Sequence, residues 1–159
     1  MSVTLDIART YRAPREVLRR RLSGGQREDR ALAIVMAACV LIFIAQWPRL
    51  SREAYLNPDI ELNALMAGAL LGWVFFAPLA LYGIAAVSHV LARLVGGKGT
   101  WHGARMALFW ALLAAAPMWL LSGLFAGFVG PGPALSITGF AALAAFLVFW
   151  GAGLMEVEQ

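Results

Sequence analysis

The chain has 159 residues, 61% of them apolar and 14% charged, with a mean hydropathy of +0.73. Soluble domains sit near ~45–50% apolar and ~25% charged; here the apolar excess is gathered into charge-free blocks, which excludes an ordinary soluble globule and indicates membrane spans. The formal charge of +4 does not point to nucleic acid, because eight of the thirteen basic residues lie in the first thirty positions, where lipid headgroups and topology account for them.

Residues 1–30 read as a basic arm carrying Arg9, Arg12, Arg15, Arg19, Arg20, Arg21, Arg27 and Arg30. Val3, Ile7, Tyr11, Leu18 and Leu22 recur at steps of four and seven, the spacing of one helical face. Pro14 is placed to open a short helix and Gly24-Gly25 to end it. A basic amphipathic helix of this kind lies on an anionic membrane surface, with Arg12, Arg15, Arg19, Arg20 and Arg21 as headgroup contacts. A solvated or partner-bound arm is the alternative.

Ala31 to Trp47 is an uncharged run of 17 residues, expected to end at Pro48 and Arg49. It reads as an uncleaved first span. Its Cys39, the sole cysteine, is expected to be a small apolar core residue. Leu62 to Ala92 is uncharged for 31 residues, about 46 Å as a helix at 1.5 Å per residue. That is too short for two crossings, so one tilted helix kinked at Pro78 is expected over about residues 63–92.

Met106 to Met155 is 50 residues without a charge. Gly130-Pro131-Gly132-Pro133 interrupts it, so the spacing predicts two spans, 106–129 and 134–155, in a tight hairpin. Pro117 is a further expected kink. Residues 156–159 form an acidic tail. The fold expected is an all-α polytopic bundle with four transmembrane helices, a membrane domain over 31–155 and the amphipathic arm ahead of it. Trp47, Trp101, Trp110 and Trp150 fall near the expected headgroup levels.

Orientation follows from basic residues. The arm and the 93–105 segment together hold eleven, against Arg49 and Arg52 in residues 48–62. The positive-inside rule places both termini in the cytoplasm. The Arg-dominated, Ala- and Gly-rich composition suits a bacterial gene, and hence a bacterial inner membrane.

Little chemistry is written in the spans, which hold no Asp, Glu, Lys or Arg. His89 is the one intramembrane titratable group, read as an interface histidine bonded to a carbonyl or water rather than a relay, since no carboxylate lies in its helix. His102 is expected in a loop, and two histidines without acids beside them make no metal site. No catalytic set and no cofactor or metal site is expected. Gly96-Gly97-Lys98-Gly99-Thr100 has its glycine on the wrong side of the lysine for a phosphate-binding loop and follows a helix instead of a strand. The small-residue pairs Gly68-x-x-x-Gly72 and Gly123-x-x-x-Gly127 suit close helix packing within the bundle or in an oligomer.

The run from Ser88 through Arg93, Gly96, Gly97, Lys98, Gly99, Thr100 and Trp101 to Arg105, with Pro117 beyond, resembles the central signature of bacterial Yip-type (Yip-one domain) membrane proteins. The resemblance is specific over about forty residues and extends loosely over 31–155. It implies a small polytopic membrane protein with a cytoplasmic N-terminus. Eukaryotic relatives bind Rab-type GTPases, a role not carried over, because four spans are expected here where the family typically has five and the eukaryotic acidic-aromatic motif is missing. The function expected is a non-enzymatic scaffold, assembly factor or accessory subunit with a protein partner or second copy in the membrane. A carrier or channel for a lipid or small neutral solute is the alternative, marked by a wet pocket around Ser88, His89 and Ser122. Reporter fusions within residues 48–62 should read as external and fusions within 93–105 as cytoplasmic; the reverse pattern refutes the orientation.

Overall fold

The computed structural model describes residues 3–25 and 27–158, and the elements among them are helices. A short hairpin, α1 (Val3–Thr10) and α2 (Pro14–Leu22), precedes the long α3 (Glu28–Leu56). Then α4 (Leu62–Leu70), a π-helical turn (Leu71–Phe76) and α5 (Ala77–Leu94) run on as one 33-residue helix. α6 (Trp101–Phe128) and α7 (Pro133–Val157) complete the chain. Four of these helices, counting α4–α5 as one, are long and apolar enough to cross a bilayer among the described residues.

α6 is the axis of the bundle. It packs against α3 on one side and α7 on the other, with α5 and the N-terminal hairpin touching it more lightly. Nearly every residue from His102 to Ala116 is buried, including Phe109 and Leu108. α3 and α6 run parallel, because Glu28 lies opposite His102 and Arg105 while Ala45 and Pro48 lie opposite Gly123 and Gly127. Lipid tails are as apolar as leucine, so these helices associate through van der Waals fit rather than exclusion from water. Gly123 and Gly127 provide the fit: a Cβ at either would collide with the backbone of Ala45 or Pro48. Arg52 closes the far end, donating from Nη1 to the Gly127 carbonyl at 3.3 Å.

Several boundaries differ from the sequence reading. α3 does not stop at Pro48 but continues to Leu56. Proline removes one helical hydrogen bond, while Leu50 beyond it is buried and Arg52 is anchored on α6, so tertiary contacts carry the helix through. Pro117 likewise sits inside an unbroken α6. The helix bearing Pro78 adjusts one turn earlier, in the π turn, which contains Val74, the residue whose carbonyl loses its helical donor to the proline. Gly130 takes a φ of +84° in the α6–α7 turn, and Pro133 opens α7. Glu156 and Val157, assigned to the tail, belong to α7 or its cap.

The second span stands apart. Only 6% of its most apolar stretch is buried, against 61% in the third span. Gly68 and Gly72, expected as a packing pair, face open space, with nothing within 4 Å of where a Cβ would stand. The reason is position: α4 packs against α3 and α5 against α6, and the Gly68–Gly72 face turns away from both. Gly123→Val or Gly127→Val should therefore destabilise the detergent-purified protein by about 1–3 kcal/mol through overpacking. Gly68→Val and Gly72→Val should stay within about 0.5 kcal/mol. Denaturation curves that lose equal stability at both pairs would contradict this packing.

Candidate functional site

The polar groups converge at one end of the bundle, where α5 turns into α6 and the chain terminus returns. α5 ends in a Schellman motif: the Gly96 N–H donates to the Arg93 carbonyl at 3.1 Å and the Gly97 N–H to the Ala92 carbonyl at 2.8 Å. Gly96 takes the left-handed φ of +97° that this closure requires. Thr100 caps α6, its Oγ1 accepting from the Gly103 N–H at 3.0 Å.

Glu158 fastens this loop. Its carbonyl accepts from the Lys98 N–H at 3.0 Å, and its Oε2 accepts from the Gly99 N–H at 2.9 Å. Its Oε1 lies 2.8 Å from Nδ1 of His89, whose ring is almost fully buried against Trp101 at 4.5 Å between centroids. A Cβ at Gly97 would meet the Glu158 carboxylate, and one at Gly99 would meet Val157. The glycines of the signature loop thus admit the chain terminus as well as a turn. His89 does have a carboxylate partner, contrary to the sequence reading; the acid comes from the far end of the chain, 69 residues on.

Two more glutamates work nearby. Glu28 receives both Nε and Nη2 of Arg105 and lies 3.1 Å from Nδ1 of His102, which is buried in the first turn of α6 and not in a loop. Glu156 accepts from Arg15 Nε at 3.1 Å and from Arg19 Nε at 2.6 Å. The second bond and its charge hold the Arg19 guanidinium above its already high ordinary pKa. Arg20 and Arg21 turn instead to Asp6, at 3.6 and 2.8 Å. Of the five arginines expected to face headgroups, Arg12 alone has no carboxylate partner among the described residues; it is exposed.

The arm itself packs on the bundle. Val17 and Leu18 are buried, and Leu18 meets Gly153 of α7. Trp110, expected at the headgroup level, is buried beneath the hairpin, donating from Nε1 to Thr10 Oγ1 at 3.0 Å with the Arg21 guanidinium 4.1 Å over its ring. Tyr11 donates to the Ala114 carbonyl at 2.8 Å and packs edge-on against Phe149. The arm thus covers its own protein, a third possibility beside membrane surface and foreign partner. Sequence reasoning missed Asp6, Glu28, Glu156 and Glu158; the available signal was that the three glutamates stand just outside the charge-free tracts, while Asp6 carried none.

Chemically, this end is a set of internal latches. Among the described residues no three of His, Cys, Asp or Glu are grouped to hold a metal. Of the signature residues, Gly97, Lys98, Gly99, Thr100, Trp101 and Arg105 all take part in the network, while Arg93 and Lys98 are exposed and their side chains have no ion pair among the described residues.

Four apolar spans closed at one end by a folded-back N-terminal hairpin define a polytopic α-helical membrane protein. The family model described as the Yip1 domain matches residues 8–158, nearly the whole chain, and the chain belongs to that family. No curated protein and no solved structure matches it.

Removing the carboxylate that holds His89 Nδ1 and the Gly99 N–H strands a buried imidazole and one loop amide, each at about 1–3 kcal/mol if left unsatisfied. Glu158→Ala should therefore lower stability by at least about 1 kcal/mol and raise amide exchange across residues 97–101. Glu61→Ala, in the exposed α3–α4 loop, serves as the control. Unchanged exchange in the 97–101 loop would remove Glu158 from this role.

Proposed function

We propose that this protein acts without catalysis, as a membrane scaffold, assembly factor or accessory subunit whose second span receives a partner helix or a second copy. The observation that carries the reading is the division of labour among the spans. α6 is gripped by α3 on one side and α7 on the other, whereas the α4–α5 span keeps Leu71, Phe75, Phe76 and Leu79 exposed beside the open Gly68–Gly72 notch. Small-residue notches let a second helix approach closely in lipid, and the adjacent π turn gives that surface a shape a straight helix lacks. Both termini would lie in the cytoplasm of a bacterial inner-membrane protein, with Arg12 and the exposed Lys98 and Arg93 meeting anionic headgroups.

The carrier reading is less well supported. Ser88 bonds to the Ala85 carbonyl and His89 to Glu158 at the polar end, whereas Ser122 lies toward the opposite end of α6 near Gly139. These three groups do not surround one wet path.

A photo-crosslinking residue in place of Leu71, in native membranes, should give one discrete protein adduct, either a partner or a second copy. The same residue in place of Phe140, exposed on α7, should give none. Recovery of the Leu71 variant only as an uncrosslinked monomer overturns the scaffold reading.

A further inference from the structure

A pocket of about 520 Å³ opens beside the first span, under the N-terminal hairpin. Arg20, Arg21 and Arg30 stand on its wall with Asp6 between them, three positive charges against one negative. Asp6 is only 2% exposed and holds Arg21 through Nη2 at 2.8 Å, leaving the buried Nε of Arg21 without a hydrogen-bond partner among the described residues. Arg30 is exposed, its Nη1 leaning over Gly24, and it has no ion pair among the described residues. The pocket therefore carries a net charge of about +2 and donors in want of an acceptor, a setting that favours a phosphate oxygen over a neutral group.

The floor argues for what the phosphate is attached to. It consists of Ala33, Ile34 and Met106 from the first and third spans, with no polar side chain. From Ala33 an exposed apolar column continues along α3 through Ala37, Val40 and Ile44, the helical spacing of one lipid-facing stripe. A cationic cup thus stands at the head of an apolar track, and both begin where the span leaves the polar end of the bundle. A free anion would use the cup and leave the track idle; a phospholipid would use both.

The geometry points to a binding site for one anionic glycerophospholipid of the adjacent leaflet, its phosphate between Arg21 and Arg30 and an acyl chain along Ala33, Ala37 and Val40. This goes beyond the scaffold reading and does not depend on it, since the pocket lies on α3 and α6 and not on the second span. Asp6 has a defined part here: it fixes Arg21 and Arg20 around the cup, and it keeps the net charge low enough to suit one phosphate.

The test uses the full-length protein, delipidated in a neutral maltoside detergent and titrated with dioctanoyl phosphatidylglycerol, dioctanoyl phosphatidylcholine or inorganic phosphate, with bound species counted by native mass spectrometry. One phosphatidylglycerol should bind about tenfold more tightly than phosphatidylcholine, and inorganic phosphate should not displace it at equal concentration. Arg30→Gln, at an exposed residue whose loss disturbs no internal bond, should weaken phosphatidylglycerol about tenfold. Arg49→Gln, in the part of α3 beyond Trp47, should leave it unchanged. Equal affinity for the two lipids, or wild-type affinity in Arg30→Gln, overturns the site. Displacement by inorganic phosphate overturns the lipid as its occupant.

Discussion

In a bilayer the solvent does not push helices together, so some surface of each must fit another closely enough for dispersion forces to hold it. In this protein that fit is the seam between α3 and α6, where the backbone of Ala45 and Pro48 rests in the trough left by Gly123 and Gly127. The parallel register of the first and third spans follows from it. So does the placement of Glu28 beside His102 and Arg105 some thirty ångströms away, about twenty residues along both helices. α7 then covers the remaining side of α6, and the second span is left at the edge.

At the polar end, carboxylates do what small residues do within the spans. Asp6, Glu28, Glu156 and Glu158 each join segments remote in sequence or fix a local pair, and each has at least one cationic, imidazole or amide donor. An exposed ion pair contributes little, a median of about 0–1 kcal/mol. Glu156, Glu158 and Asp6 are different because their carboxylates are largely buried and each holds more than one donor. Their value is positional: they select one arrangement of the loop and one of the hairpin.

The spans could be read from the sequence because a charge-free tract is a property of composition and survives any detail of packing. The Gly-Pro interruption was equally legible, since no helix continues through it. What stayed hidden depended on contacts across long separations. Pro48 reads as a stop until Arg52 is seen on α6. Trp110 reads as an interface anchor until the hairpin is seen above it. The loop glycines were visible as a motif, but their reason, the close approach of Val157 and Glu158, is 59 residues away along the chain. The arm's amphipathic spacing pointed to an apolar surface without telling membrane from bundle, as both present the same chemistry to Val17 and Leu18.

The hairpin that begins the chain rests on the helix that ends it, through Arg15 and Arg19 on Glu156, Leu18 on Gly153 and Tyr11 on Phe149. Synthesis runs from the N-terminus, so α1 and α2 exist for most of translation without their seat. The clasp can close only when α7 is in place, because Phe149, Gly153 and Glu156 all belong to it.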